Sequence, residues 1–325
     1  MTLVDVGNRS PVSGGLLRLG GWTGLASSLI VVCVLLTFLS PYFLAVDNGL
    51  NIARAVSWWG VVALLTTIVL IGGSLDLSIG AVIGFSGILC ALLIDQGIPW
   101  PAAAVIGVAS GSVFGAINGW MVAYIGVNAF VVTIAAAFTI RGLAYLVAGG
   151  RDILIDSPGF NLIGQGSVLG IPILVLFLVG AFLLTFWILR ATVFGRHIFA
   201  IGGSAEASRL VGVPVDRRRF QLLVLSGTAA GVSGILLASY TGSGLAYNGT
   251  GIELTVIAAV ILGGTSLLGG KGTALGTLLG IALLGVITNG ITLLGIGAYW
   301  QLITQGVVLA LAVVLDELRS KRATR

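Results

Sequence analysis

The sequence predicts an all-α polytopic membrane protein of about ten transmembrane helices, some separated by glycine-rich broken segments. Three observations carry this. Hydrophobic residues make up 57% of the chain and charged residues 8%, too little charge to cover a water-soluble surface. The mean hydropathy is +1.13, and apolar runs of ~20 residues, the length that crosses the hydrocarbon core, recur along the chain. The sequence also holds 50 glycines, which suit close helix–helix approach in lipid.

Taken in order, residues 1–21 form a polar tail with Arg9 and Arg18. Residues 22–315 read as a single transmembrane domain. Its first run, Trp22–Val46, is longer than the apolar region of a signal peptide and reads as a retained span. Asp47–Arg54 reads as a short loop. Ala55–Gly73, Leu77–Ile94, Pro99–Gly126 and Asn128–Ala148 supply the next spans, and a loop follows at Gly149–Gly170. The sixth span is Ile171–Leu189 and the seventh Phe220–Tyr240, with the polar stretch Arg190–Arg219 between them. An eighth opens at Leu254, and Thr273–Leu294 and Ala298–Leu315 complete the set before a charged tail at 316–325. Gly107, Gly111, Gly115 and Gly119 recur every fourth residue, which places them on one helix face where a neighbouring backbone can come close. Gly80/Gly84, Gly227/Gly231 and Gly276/Gly280 repeat that spacing.

Charge placement sets the orientation. With the N-terminus inside, the inside set holds the two arginines of the N-tail, six basic residues of the Arg190–Arg219 stretch, and Arg319, Lys321, Arg322 and Arg325 of the C-tail. That is twelve of the sixteen basic residues. An even number of spans with both termini in the cytoplasm satisfies this. The same placement explains the pI near 9.6 without nucleic acid as a partner. Lipid is the partner of the apolar surface.

Two places break the apolar pattern with small and polar residues: GGSLDLS around Asp76, and GGTSLLGGKG from Gly263. Non-helical backbone within a membrane is tolerated only against protein or a water-lined cavity, so paired breaks point to a translocation site. Asp76 can equally occupy a tight turn between two spans. Arg141 lies inside an apolar span, where a charge is costly and should face a cavity or partner; the alternative is snorkelling to the outer surface. Asn118, Asn128, Thr133 and Asn289 can line a path for a hydroxylated substrate or bond between helices. The chain has one histidine, His197, and no Cys/His cluster; Cys33 and Cys90 both sit in apolar runs. TSLLGGKG misses the phosphate-binding loop, with Thr265 at its first glycine and Gly272 where the Mg²⁺-binding hydroxyl belongs. No catalytic or metal site emerges.

Within residues 190–219, Ser204 can cap a helix spanning Ala205–Val211. Glu206 falls in its first turn and Arg209 in its last, matching the helix dipole. Gly212 and Pro214 stop it. Ala207 and the other small residues would let it sit in a protein groove, with Leu210 and Val211 as apolar contacts. A cytoplasmic loop that only sets topology is the plainer reading.

Several segments together resemble the permease subunits of bacterial ABC importers for monosaccharides of the ribose/xylose/galactose type. These are GGSLDLSIG, where Ser74 replaces a usual glycine, GRHIFAIGGSAEASRLVGV, with Ser204 for Asn and Ser208 for Ala, and VIAAVILGGTSLLGGKG, which is essentially intact. FVVTIAAAFTIRGLAYLVAGG is similar to the family's fifth-span segment, although Asn128 and Ala129 replace its proline-containing start. The match spans about residues 55–315. The resemblance implies a ten-span permease in the bacterial inner membrane, paired with a second permease copy or a paralogue. It implies two partners, a cytoplasmic ABC ATPase and an extracytoplasmic sugar-binding protein. No cofactor is expected on this chain; ATP and Mg²⁺ belong to the ATPase. It assigns ATPase coupling to Ser204, Glu206, Ala207, Arg209, Leu210 and Val211. Alternatives are a permease of the same architecture for nucleosides or branched-chain amino acids, and an ion-coupled secondary transporter, for which Asp76 is the one embedded acid in view.

Overall fold

The computed structural model describes residues 20–297 and, beyond them, residues 299–301, 303, 304, 306, 307, 310 and 314. The C-tail and all but the end of the N-tail lie outside the described residues, as does part of the last predicted span. The helices are α1 (Gly20–Leu39), α2 (Val46–Ile71), α3 (Ile79–Asp95), α4 (Trp100–Trp120), α5 (Ala129–Ala148), α6 (Pro158–Gln165), α7 (Ile173–Ala191), α8 (Val193–Gly203), α9 (Ala205–Leu210), α10 (Val215–Thr241), α11 (Ile252–Leu262) and α12 (Ala274–Leu293). A π-helical turn, Met121–Ile125, extends α4. Six of these are long and apolar enough to cross a membrane: α2, α4 with its extension, α5, α7, α10 and α12. The apolar helices α3 and α11 fall short of that length because each adjoins one of the glycine-rich breaks.

Four boundaries differ from the sequence reading. Asp47–Arg54 is helical, not a loop: α1 stops before Pro41, which cannot continue a helix, and α2 starts at Val46. Its opening is held by Asn48, whose Nδ2 donates to the Phe43 carbonyl at 3.0 Å. Residues 190–219 are largely helical rather than a loop, as described below. The seventh span begins at Val215, five residues before Phe220, so Arg217–Arg219 lie on its first turns. The loop 149–170 also contains α6 and short strands.

The core is built on α2 and α10, both largely buried. Small residues let α10 lie against α4. A Cβ on Gly111 would strike the Gly227 carbonyl, and a Cβ on Gly227 would strike the Gly111 carbonyl, so these backbones touch directly. Gly115 meets the Leu223 carbonyl in the same way. Such contact is how apolar helices gain packing energy where lipid competes for every apolar side chain. The spacing of four glycines in α4 therefore does what its periodicity predicts.

The loops segregate to two ends. At one, β1 (Ile153–Leu154) pairs antiparallel with β4 (Ser243–Gly244), Ile153 opposite Gly244. Nearby in sequence β2 (Ser167–Val168) and β3 (Ile171–Pro172) form a hairpin, with Leu169 and Gly170 both at positive φ in its two-residue turn. At the other end of α10 lie α8, α9 and the two glycine-rich breaks.

Candidate functional site

The first break runs from Gly72 to Ser78, between α2 and α3. Asp76 lies in this tight turn and is 1% exposed. Its Oδ1 accepts from the Ser78 amide at 2.9 Å and from the Ser78 hydroxyl at 2.6 Å, which closes the turn into α3. Asn118 of α4 donates from Nδ2 to Ser78 Oγ at 3.0 Å. Asp76 and Asn118 thus tie the α2 exit, the α3 entry and α4 into one buried polar knot.

The second break, 263–272, follows the short α11 and folds back on itself, with the Ser266 amide donating to the Lys271 carbonyl at 3.0 Å. It then meets the first break: the Gly270 amide donates to the Ile71 carbonyl at 2.8 Å. Gly202, near the end of α8, is wedged into this contact. A Cβ there would strike the Ile71 carbonyl and the Gly270 amide nitrogen. Gly73 and Gly269 complete the junction, each close to the Gly202 Cα. Three segments far apart in sequence therefore join through bare backbone.

The stretch attached to Gly202 explains itself locally. Thr192 caps α8 by accepting from the Gly195 amide at 3.0 Å, and Gly195, Ile198 and Ile201 bury one face. Ser204 then caps α9, accepting from the Ala207 amide at 3.2 Å. Gly212, at φ +82, follows as the left-handed stop. Leu210 is 85% exposed and Val211 79%. Glu206, Ala207 and Arg209 are exposed as well, while Ser208 turns inward. Arg209 pairs with Asp216 at the start of α10. The spacing of Phe194, Ile198 and Ile201 was the available signal for α8, masked by the surrounding basic residues and glycines.

The remaining predicted path residues separate. Thr133 is buried and donates to the Ala129 carbonyl at 2.8 Å. Asn128 caps α5 by accepting from the Phe130 amide at 2.9 Å. Asn289 of α12 pairs with Asn48, each amide donating to the other at 2.9 and 3.2 Å. It also lines a cavity of about 410 Å³ with Asn51, Trp58, Trp59, Tyr240 and Thr288. Arg141 is half-buried: its Nη1 donates to the carbonyls of Ala246 and Asn248, both at 2.8 Å, and it lines a separate cavity of about 500 Å³. Glu253, one residue before the predicted start of the eighth span, opens α11 and lines the same cavity. The signal for it was present: it is the only acid between Asp216 and Asp316, and it opens an apolar helix.

This arrangement, embedded polar groups beside broken helices, agrees with the comparison to known sequences. The family model described as the permease component of the branched-chain amino acid transport system matches residues 48–313. The chain belongs to this permease family. The ribose import permease protein RbsC of Bacillus subtilis (strain 168) is 36% identical to it over 309 residues, covering 94% of this chain and 95% of the relative. The RbsC protein of Escherichia coli (strain K12) is 35% identical over 293 residues, 89% and 91% of the two chains. The L-arabinose ABC transporter permease protein AraH of Azospirillum brasilense is 33% identical over 306 residues, 94% and 90%. No solved structure matches the chain significantly. The permease is thus a multi-pass membrane subunit of an ABC importer, and the sequence resemblance to sugar permeases holds.

Proposed function

We propose that this permease carries a monosaccharide across the bacterial inner membrane, received from an extracytoplasmic binding protein and driven by ATP hydrolysed on a separate subunit. The observation that carries the sugar reading is the near full-length similarity to permeases named for ribose and L-arabinose. In this reading the chain crosses the membrane ten times, with both termini and the α8–α9 segment in the cytoplasm, and works as a pair with a second copy or a paralogue. The α9 helix docks on the ATPase. Its movement reaches both breaks through the Gly202 junction, a rigid linkage between discrete packings.

The test is uptake in proteoliposomes holding the permease with its ATPase and binding protein. D-ribose and L-arabinose are the probes, with ion gradients collapsed. The expected result is ATP-dependent accumulation of a pentose. Uptake of a branched-chain amino acid or nucleoside instead would favour the second reading, for which the family description speaks. Uptake that follows an ion gradient without ATP would overturn both.

Orientation has its own test. Ser208 and Ser243 are buried, so reporter cysteines belong at exposed Ala207 and Tyr247. In a background lacking Cys33 and Cys90, Tyr247→Cys should react with an impermeant thiol reagent in intact cells, and Ala207→Cys only in inverted vesicles. Reaction of both from outside would refute the orientation.

A further inference from the structure

We propose that Arg141 and Glu253 form a binding station for a neutral polyhydroxylated substrate, Arg141 donating to its hydroxyls and Glu253 accepting from them. This rests on the permease reading and adds to it a place and a chemistry of contact. Both residues line the cavity between α3, α5 and α11, with Phe138, Leu77 and Ala81 among its other walls. Two glycines one turn apart on α3 seat them. A Cβ on Gly80 would collide with Glu253 Oε2, and a Cβ on Gly84 would come within 2.8 Å of Arg141 Nη1. The acid and the base are therefore seated against successive turns of α3. They form no ion pair; among the described residues that contact is confined to Arg209 and Asp216.

Without that pairing both groups stay open to a ligand. A hydroxyl oxygen can accept from the guanidinium and its proton can go to the carboxylate. Only a hydroxyl or water does both. Arg141 commits Nη1 to the Ala246 and Asn248 carbonyls, which fixes the fork in place and leaves Nε and Nη2 to donate. Glu253 Oε2 is buried against Gly80 with no donor among the described residues, a state that costs free energy. The paired charges cancel, which selects against charged substrates. Phe138, 78% exposed, supplies an apolar face beside the polar pair, the combination that ligand pockets use to orient a small polar molecule. Charged residues within a membrane are expensive, and retaining two beside a cavity fits this use.

Two measurements on the complete importer test the proposal. In the cysteine-free background, Phe138→Cys and Leu254→Cys should react with a charged, impermeant methanethiosulfonate, and either transported pentose should slow that reaction. Failure to react would show that the cavity faces lipid, and reaction without protection would show that it is water-filled but not a substrate site. Either result overturns the station. Separately, Glu253→Gln should reduce pentose moved per ATP hydrolysed by about tenfold, the scale of one charge-assisted hydrogen bond, while ATP hydrolysis stimulated by the binding protein persists. Unchanged transport, or equal loss of transport and hydrolysis, would assign Glu253 a structural role. If the wild-type importer moves no pentose, the functional reading fails by itself. Labelling of the two cysteines would still decide whether the cavity is an aqueous path.

Discussion

Gly202→Val should leave no active importer, whereas Gly203→Ala, one residue further on, should transport as wild type. At Gly202 any side chain meets the Ile71 carbonyl and the Gly270 amide, backbone atoms that cannot rotate away. The Gly270–Ile71 hydrogen bond would have to break, leaving a donor and an acceptor without their partners. Overpacking and the lost bond together cost about 2–5 kcal/mol. A Cβ at Gly203 meets nothing within 4 Å. Thermal unfolding of the purified protein and pentose uptake check the pair. A Gly202→Val protein with wild-type melting and transport would show that the junction is not needed.

Leu210→Asp should give a permease that inserts and folds normally but fails to hold its ATPase. The side chain is 85% exposed, so the charge disturbs no contact within the chain. If α9 docks on the ATPase as proposed, the same position becomes a buried apolar anchor, and interface energy concentrates in few such residues. An unpaired charge there costs about 3–5 kcal/mol, enough to weaken association by more than a hundredfold. Co-purification and stimulated ATP hydrolysis in liposomes are the readouts. Normal values for both would place the docking element elsewhere. Arg209, exposed on the same helix, pairs with Asp216.

The legible parts of this fold were those governed by local rules. Apolar length located the spans from Asn128 to Leu189 within two or three residues at their ends, because lipid thickness sets that signal directly. The α9 cap, charges and stop followed from hydrogen bonding at helix ends, and Ser204 and Gly212 perform those jobs. The small-residue face of α4 predicted a close neighbour but not which one; only the fold identifies α10. The site was less legible because its content is nonlocal. Nothing near Asp76 says that Asn118 will reach the serine bound to it, and nothing near Ile71 announces Gly270. Glu253 was missed for a related reason: its importance comes from Arg141, more than a hundred residues earlier.

The glycine junction also bears on how such a machine can diversify. A contact made only of main-chain atoms contains no side chain for drift to alter, so long as the glycines persist. If α9 docks on the ATPase as proposed, residues lining the cavities can be exchanged for those suiting another cargo without retuning that linkage. The exposed surface of α9 can then adapt to a new ATPase without disturbing the cavities. One drive mechanism can in this way serve many cargoes, and chimaeras joined within residues 203–204 are the natural place to exploit that separation.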